Sequence, residues 1–370
     1  MSEYKKVDHG KSEYGNNKQD RSGGLEKAEE RMKEKMGEAI EKEDVAGMKE
    51  ALYFFSGAGF SLLPTPIHKL SSLSDMLGCN VYCKRDDLTG FGFGGNKSRK
   101  LDFLLPYAKA QGADSLLAVG ANQSNFCRMT AAFGSAWGMD VHLVLGGGEP
   151  AAPTGNLLVD HALGAEIHYV DSMVWDQWVD VSKEVQKTLE AEGRKVFRMP
   201  VGGSTPVGAL GYVKFMLELM EDEERLGVQF STLIHASSSA GTQAGLVVGK
   251  EMTRWPGKVV GMSVAKKSKI LSAEVSELAD KTSSVLGRGL SVKDEDIIVD
   301  DSYMGESYAA RTTGCHEAMT LFARRCGIFL DRVYTGKAAA GLIDYAAKGL
   351  FEKDENVCFL HTGGNIEIFE

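Results

Sequence analysis

The chain has 370 residues, of which 43% are hydrophobic and 25% charged, and its formal net charge is −9. This length predicts two domains or one large one, with enough apolar residues for a proper core. The acidic balance, without a long run of Lys and Arg in the folded part, argues against nucleic acid as a partner. No apolar stretch approaches the ~18 residues that cross a bilayer, so no membrane partner is expected.

The N-terminal region differs in composition from the rest. Residues 1–24 are polar, which predicts a disordered tail, and their acidic residues fit neither a secretory signal nor a transit peptide. Residues 25–50 are strong helix formers with i,i+4 charge pairs, which predicts either a solvated helix or an arm that contacts a partner. We therefore predict a charged extension over 1–50, partly disordered or helical, before a globular part that begins near Ala51.

From there onward the pattern of apolar residues alternates between strands and helices. Predicted strands lie at 81–85, 115–119, 141–145, 166–170, 195–198, 231–236, 259–264 and 356–360. Predicted helices lie at 99–111, 124–137, 155–163, 177–192, 206–221, 242–253, 270–286, 307–326 and 337–349. This alternation indicates an α/β fold with parallel sheets covered on both faces. In such folds ligands bind at the carboxyl ends of the strands.

Lys97 follows a glycine-rich turn, Phe91-Gly92-Phe93-Gly94-Gly95-Asn96, at the end of the first predicted strand. Most lysines are solvated surface groups. A glycine turn, however, lets the backbone approach a ligand closely. An amine held at that point can lose its proton and attack a carbonyl carbon, as pyridoxal phosphate (PLP) enzymes require. A nucleotide P-loop is excluded because Asn96 separates the glycines from the lysine.

Four loops with polar or small residues follow predicted strands or precede helices. They are 120–125 (GANQSN), 237–242 (SSSAGT), 331–337 (DRVYTGK) and 361–365 (HTGGN). The loop 237–242 is the strongest of them, because small residues at a helix start leave backbone N–H groups open to a phosphate. Each loop could equally contain an ordinary helix cap, with Ser124 and Thr335 as capping residues. No G-x-G-x-x-G dinucleotide motif accompanies these strands.

The cysteines and histidines show no recognisable ligand spacing. The six cysteines are scattered, and the close pair Cys79 and Cys83 lacks C-x-x-C spacing. The eight histidines form no H-E-x-x-H or comparable motif. We therefore expect free buried thiols, a reducing cytoplasmic setting and no bound metal.

Taken together, these segments resemble the D-cysteine desulfhydrase and 1-aminocyclopropane-1-carboxylate (ACC) deaminase family of tryptophan-synthase-β-like, fold type II PLP enzymes. The matching motifs are LPTPIH (63–68), KRDDLTG (84–90), GGNKSRKL (94–101), NQSNFCR (122–128), GGS (202–204), SAGTQAGL (239–246), DRVYTGKAAAGL (331–342) and HTGG (361–364). The resemblance implies two open twisted sheets flanked by helices, and a homodimer. It also implies a large PLP-binding domain over 51–99 and 215–370 and a small domain over 100–214.

The resemblance further implies which residues bind the cofactor. Lys97 would hold PLP covalently, and Asn125 would hydrogen-bond the oxygen of the ring. The phosphate would be bound by Lys100 and by the loop that comprises Ser238, Ser239, Ala240, Gly241 and Thr242. Thr335 would lie at the pyridine nitrogen. Ala240 stands where the family usually has glycine, and we expect it to be tolerated at a negative φ.

It also implies which residues act on the substrate. Lys97 would remove the α-proton, and Ser124 with its loop neighbours Asn125 and Phe126 would hold the substrate. Tyr308 and Tyr334 would face the substrate and could protonate the leaving group. Tyr303 is an alternative to Tyr308, because the glycine and proline usual after that tyrosine are missing. Phe126 replaces the histidine that D-cysteine desulfhydrases usually carry after the Gln-Ser-Asn triplet.

Thr335 discriminates among activities, because ACC deaminases carry glutamate at that position. A carboxylate keeps the pyridine nitrogen protonated, whereas a neutral hydroxyl leaves the ring a weaker electron sink. Opening a cyclopropane needs the stronger sink, and expelling hydrosulfide is less demanding. The sequence therefore predicts PLP-dependent β-elimination from a D-amino acid, D-cysteine first. The alternatives are a lyase for another β-substituted alanine such as cysteate, an ACC deaminase, and a non-catalytic PLP-binding protein.

Overall fold

The structure is a computed structural model that describes residues 49, 52, 58–287 and 292–369. The extension predicted over 1–50 therefore lies outside the described residues, apart from Lys49. The described strands are β1 (Ile67–Lys69), β2 (Asn80–Lys84), β3 (Ser115–Ala121), β4 (Asp140–Gly146), β5 (Glu166–Val170), β6 (Val196–Met199), β7 (Thr232–Ser237), β8 (Lys258–Ser263), β9 (Ile298–Asp300) and β10 (Asn356–Leu360).

Helices alternate with these strands and cover their faces. They are α1 (Ser71–Leu77), α2 (Lys97–Ala110), α3 (Asn125–Ala136), α4 (Gly155–Ala162), α5 (Trp175–Ala191), α6 (Pro206–Leu226), α7 (Gly241–Thr253), α8 (Ser268–Val285), α9 (Thr313–Cys326) and α10 (Thr335–Ala347). Their ends follow from local sequence. In α6 the Thr205 side chain accepts a hydrogen bond from the Gly208 N–H, Pro206 opens the helix and Gly227 ends it at φ 65°.

The strands form two sheets. One has six strands in the order β1-β2-β10-β7-β8-β9, and the other has four in the order β5-β4-β3-β6. All neighbouring strands are parallel except β1, which pairs antiparallel with β2. Apolar clusters pack on both faces of each sheet. The α/β class with two mostly parallel sheets is thus confirmed.

The structure differs from the sequence prediction in a few short elements. Strands β1 and β9 and helix α1 were not predicted, because segments of three to seven residues are too short to show a period. The helix predicted over 307–326 begins only at Thr313, whose preceding residue Thr312 accepts a hydrogen bond from the Cys315 N–H. Residues 301–312 form a loop instead, and this loop carries Tyr308.

The strands of each sheet come from separate stretches of chain. The four-stranded sheet lies within residues 100–214, and the six-stranded sheet takes its strands from 51–99 and 215–370. Helices α2 and α6 run across the predicted domain limits at 99 and 214, so those limits stay a prediction. No helix in the described part of the chain is long and apolar enough to cross a membrane.

Candidate active site

A cavity lies where the carboxyl ends of strands from both sheets meet. It is lined by Asn96, Lys97, Gly120, Ala121, Ser124, Asn125, Phe126, Trp175, Trp178, Val201, Gly202, Ala236, Ser237, Ser238, Ser239, Ala240, Thr242, Tyr308, Tyr334, Thr362, Gly363 and Gly364. Three of the four loops singled out in the sequence, at 120–125, 237–242 and 361–365, contribute to this wall. The fourth loop, 331–337, also contributes, but with a single residue, Tyr334. The predicted loops therefore surround one site.

Lys97 is the first residue of α2 and projects into this cavity. Its ammonium has no hydrogen-bond or ion-pair partner among the described residues. Burial lowers the pKa of Lys97 from its usual value to about 8, because a charged amine loses hydration that no counter-ion replaces. A sizeable fraction of the amine is therefore unprotonated near neutral pH and can act as a nucleophile or a base.

Two positions further along α2, Arg99 faces away from the cavity into a buried ionic cluster. Its guanidinium binds Asp86 through both oxygens at 2.8 Å, and it binds Glu218 at 2.8 and 3.0 Å. Lys84 extends the cluster by pairing with Glu218 and Asp222 at 2.5 and 2.6 Å. These side chains are nearly inaccessible to solvent. The cluster joins β2, α2 and α6 behind the site.

The loop 237–242 forms a cradle of small residues at the start of α7. A Cβ atom added at Gly241 would lie 2.8 Å from both Lys100 Nζ and Ser204 Oγ and 3.0 Å from the Ser204 Cα, so a larger residue there would displace these groups. Ser204 also donates to Ser239 at 2.8 Å. Lys100 Nζ is fully buried and bonds the Gly202 carbonyl at 3.1 Å. The start of a helix and a buried lysine amine thus lie together at this loop, an arrangement that suits an anion.

Within this loop Ala240 departs from the expectation of a negative φ. Its φ is 65° and its ψ is −38°, a conformation that side chains with a Cβ rarely adopt. The expectation was wrong because the loop keeps the glycine-type backbone although the residue is alanine. A single residue in such a conformation costs about 1–3 kcal/mol, and the surrounding structure must hold it there.

On the opposite wall, Ser124 and Asn125 begin α3. The Ser124 hydroxyl accepts a hydrogen bond from the Cys127 N–H at 3.2 Å, so it is the helix cap, and its own proton can still point to a ligand. Asn125 donates to Glu367 at 2.5 Å and accepts from Asn156 at 3.1 Å. The C-terminal segment thereby orients the amide. Phe126 is buried beside them, against Gly203.

The two tyrosine positions named in the sequence come together. The hydroxyl oxygens of Tyr308 and Tyr334 are 2.5 Å apart, and both residues line the cavity with Lys97. Burial, followed by the charge of Tyr308, raises the pKa of Tyr334 well above its usual value, so that hydroxyl keeps its proton. Tyr303 lies elsewhere and donates a hydrogen bond to Asp344. The structure therefore places Tyr308, and not Tyr303, in this wall.

Thr335 lies behind the cavity wall and is fully buried. Its hydroxyl donates to Asp331 Oδ1 at 2.6 Å and accepts from the Asp331 N–H at 3.0 Å. Asp331 also accepts hydrogen bonds from the N–H groups of Val333 and Tyr334. The hydroxyl is thus fixed in direction by a carboxylate that caps α10. Its predicted position at a ring nitrogen stays a prediction.

Among the wall residues outside the four loops, the sequence analysis gave no role to one polar and two aromatic residues, Asn96, Trp175 and Trp178. Asn96 directly precedes Lys97, and its side-chain amide donates to Thr242 at 3.1 Å. Trp175 packs edge-on against Tyr308 at 5.9 Å, and Trp178 stacks on Trp175 at 6.1 Å. Asn96 could have been found from its place beside the lysine. The tryptophans carried no local signal, since an aromatic residue at helical spacing is ordinarily core.

The residues present fit PLP. Lys97 offers an amine of lowered pKa, and the cradle at Gly241 with the buried Lys100 ammonium fits a phosphate. The Ser237 hydroxyl is buried in the wall and has no hydrogen-bond partner among the described residues. A bound group can therefore form a hydrogen bond with it. The fold and the site thus define an enzyme that binds PLP between two sheets.

The chain belongs to the family of pyridoxal-phosphate dependent enzymes, whose family model matches residues 60–363. It is 42% identical over 301 residues, 81% of this chain and 89% of the other, to a Pyrococcus furiosus protein that carries 1-aminocyclopropane-1-carboxylate deaminase as a provisional name. It is 38% identical to the D-cysteine desulfhydrase of Serratia proteamaculans, covering 82% of this chain and 92% of that one.

A solved structure is similar along most of its length. The crystal structure of an ACC deaminase homologue superposes with a TM-score of 0.81 at 35% identity, over 87% of this chain and 96% of that one. Family membership and these relatives confirm the fold type, the PLP cofactor and the class of enzyme, a PLP-dependent lyase that acts on a small amino acid. The roles of the individual site residues stay predictions.

Proposed function

We propose that the enzyme eliminates the β-substituent of a D-amino acid, converting D-cysteine and water to pyruvate, hydrogen sulfide and ammonia. The observation that carries this proposal is the placement of Lys97 and the Tyr308–Tyr334 hydroxyl pair on one cavity. A β-elimination needs a base for the α-proton and an acid for the leaving group. An amine of lowered pKa can accept the α-proton, and a tyrosine hydroxyl that stays protonated has a proton to donate.

Bound PLP supplies the electron sink that makes the α-proton of an amino acid acidic. The chain's own residues do the rest. The Ser124 hydroxyl and the start of α3 bind the substrate carboxylate. Lys97 Nζ takes the α-proton, and the tyrosine pair gives a proton to the departing sulfur. Trp175 and Trp178 close the wall beside Tyr308 and exclude water from the site.

Two observations favour a thiol leaving group over the alternatives. Thr335 is a neutral hydroxyl that donates its hydrogen bond to Asp331, so this residue offers no carboxylate where ACC deaminases carry glutamate. Cysteate would present a sulfonate, which calls for an additional cation. Among the described cavity-lining residues, Lys97 is the sole cation. Lys266, which lies over Trp175, is held by Glu274 at 2.6 Å.

The test is a product assay on purified PLP-loaded protein with D-cysteine, L-cysteine, D-cysteate and ACC. We expect sulfide from D-cysteine, with no sulfite from D-cysteate and no 2-oxobutyrate from ACC. Tyr308→Phe and Tyr334→Phe should each lower the rate about 10²-fold, whereas Tyr303→Phe, the matched control, should leave it unchanged. Release of 2-oxobutyrate or sulfite as the main product would replace the proposal. PLP binding without any product would indicate a non-catalytic protein.

We also propose a cytoplasmic homodimer. The six cysteines are free thiols, as predicted, and five are buried, which suits a reducing compartment. Leu62, which packs against Gly90, is 67% exposed, and Phe93 of the glycine turn and Phe329 are 66% and 62% exposed. We infer that a second copy of the chain covers these side chains in the dimer. Light scattering should give twice the chain mass, and Phe93→Asp should give a monomer, whereas Ile270→Asp should not.

A further inference from the structure

A cluster of metal-ligand type lies on the four-stranded sheet, away from the cavity. It comprises His142 on β4 and Glu166 and His168 on β5. In the parallel register His142 pairs directly with Glu166, and His168 is two residues further along the same strand. Residues two apart on a strand point to the same face. The edge strand β5 and its neighbour β4 therefore present three donor groups at one place.

The distances between the donor atoms match the spacing around a tetrahedral ion. His142 Nδ1 is 3.4 Å from His168 Nε2 and 3.4 Å from a Glu166 oxygen, and the other Glu166 oxygen is 3.7 Å from His168 Nε2. A Zn²⁺ ion with bonds of about 2.0–2.1 Å sets neighbouring tetrahedral ligands about 3.4 Å apart. The three groups thus lie at mutual distances close to those of ligands that share one ion.

The surroundings suit a cation as well. His142 is buried, the His168 side chain is 26% exposed and the Glu166 side chain is 64% exposed, so the cluster is anchored inside and open to solvent at one side. Two imidazoles and one carboxylate are a typical set for a borderline divalent ion such as Zn²⁺.

We propose that His142, Glu166 and His168 form a divalent transition-metal site of the Zn²⁺ class, with water or an external donor as the fourth ligand. The site departs from the expectation of no bound metal, because its ligands are too far apart in sequence to form a recognised spacing. Glu166 is the first residue of β5, whereas the segment after this strand leads to Trp175 and the cavity. The ion would fasten the edge strand to β4 and take no part in the chemistry.

The experiment uses untagged, PLP-loaded full-length protein stripped with a chelator. Calorimetric titration with Zn²⁺ should show one equivalent per chain, and Co²⁺ should give the visible bands of a four-coordinate ion. Zn²⁺ should raise the melting temperature by about 2 °C or more. Glu166→Gln and His168→Gln, both at partly exposed side chains, should each weaken binding at least about 10-fold. The lyase rate should be the same with and without the ion.

The matched control is His161→Gln, because His161 is an exposed histidine of the same region that bonds Tyr169 rather than the cluster. It should bind Zn²⁺ like the wild-type protein. The proposal is overturned if wild-type protein binds no stoichiometric Zn²⁺, or if Glu166→Gln and His168→Gln bind it as tightly as His161→Gln does. Either result would mean that the cluster is only a pair of stacked histidines. Their ring centroids are 5.7 Å apart, and the contact between His142 Nδ1 and His168 Nε2 is 3.4 Å.

Discussion

Three cations, Lys97, Arg99 and Lys100, lie in the first turn of helix α2, and they differ in whether the fold gives them a carboxylate partner. Arg99 is enclosed by the carboxylates of Asp86 and Glu218, which raise the pKa of its guanidinium further although burial opposes them. Lys97 and Lys100 face the cavity and the cradle without a carboxylate partner, and burial lowers the pKa of both amines. The ion pairs of Arg99 hold the helix in place, whereas the unpaired amines of Lys97 and Lys100 are available to a ligand.

The difference lies in whether the fold supplies a counter-ion. Arg99 has its counter-ions in the fold, so its desolvation is offset before any ligand arrives. The desolvation of the two lysine amines is offset only when a ligand supplies an aldehyde for Lys97 or an anion for Lys100. A functional cation in this chain can thus be recognised because no carboxylate of the described residues pairs with it. Three variants and one change of pH test this distinction.

The largest effect is expected from Lys97→Ala. It removes the amine that holds PLP and takes the α-proton, so lyase activity should fall about 10³-fold or more. Borohydride reduction followed by mass spectrometry should no longer find PLP attached to the protein. Lys109→Ala, at the exposed end of the same helix, is the control and should retain both. Normal activity in Lys97→Ala would remove Lys97 from the mechanism.

Arg99→Ala should act on stability instead. It leaves Asp86 and Glu218 as unpaired buried charges, and loss of one partner from such a pair costs about 3–5 kcal/mol. Denaturant unfolding measures this cost. The control is Lys281→Ala, because Lys281 pairs with Glu277 on the exposed surface, where solvent screens the charges and the unfolding free energy should hardly change. Equal unfolding free energies for the two variants would contradict the role given to the cluster.

Gly241→Ala tests the cradle. The new Cβ would meet Lys100 Nζ and Ser204 Oγ at 2.8 Å, and relieving such a contact costs about 1–3 kcal/mol, which predicts a 5- to 150-fold weaker affinity for PLP. Gly314→Ala is the matched control, since its Cβ would meet Ala340 only at 3.6 Å. Fluorescence titration with PLP compares them. An unchanged affinity in Gly241→Ala would place the phosphate elsewhere.

The smallest effect concerns the pH dependence of PLP loading. Because burial lowers the pKa of Lys97 to about 8, the loading rate of PLP-free protein should rise about tenfold per pH unit below 8 and level off above it. The sign follows from the chemistry, since only the unprotonated amine attacks the aldehyde. Stopped-flow absorbance at several pH values measures the rate. A rise that continues towards pH 10 would show an unperturbed lysine.

Local sequence was enough for the layout of the fold and for much of the cavity wall. Glycine turns, small-residue loops and alternating periods mark Lys97, Ser124 and the 237–242 loop within a few residues. The sequence could not show that Asn125 is oriented by Glu367, or that Trp175 reaches Tyr308, because these contacts join residues more than 100 positions apart. Nor could it show the positive φ of Ala240, which the loop imposes through its tertiary contacts.

That backbone conformation of Ala240 has a consequence for the protein's abundance in the cell. The strained loop lowers the stability of the folded protein whether or not cofactor is present, and bound PLP adds stability that the empty protein lacks. By mass action, a ligand that binds only the folded state protects it in proportion to ligand concentration. Chains made when PLP is scarce would then be removed sooner by proteolysis, and Ala240→Gly should lengthen the half-life of the empty protein more than that of the loaded one.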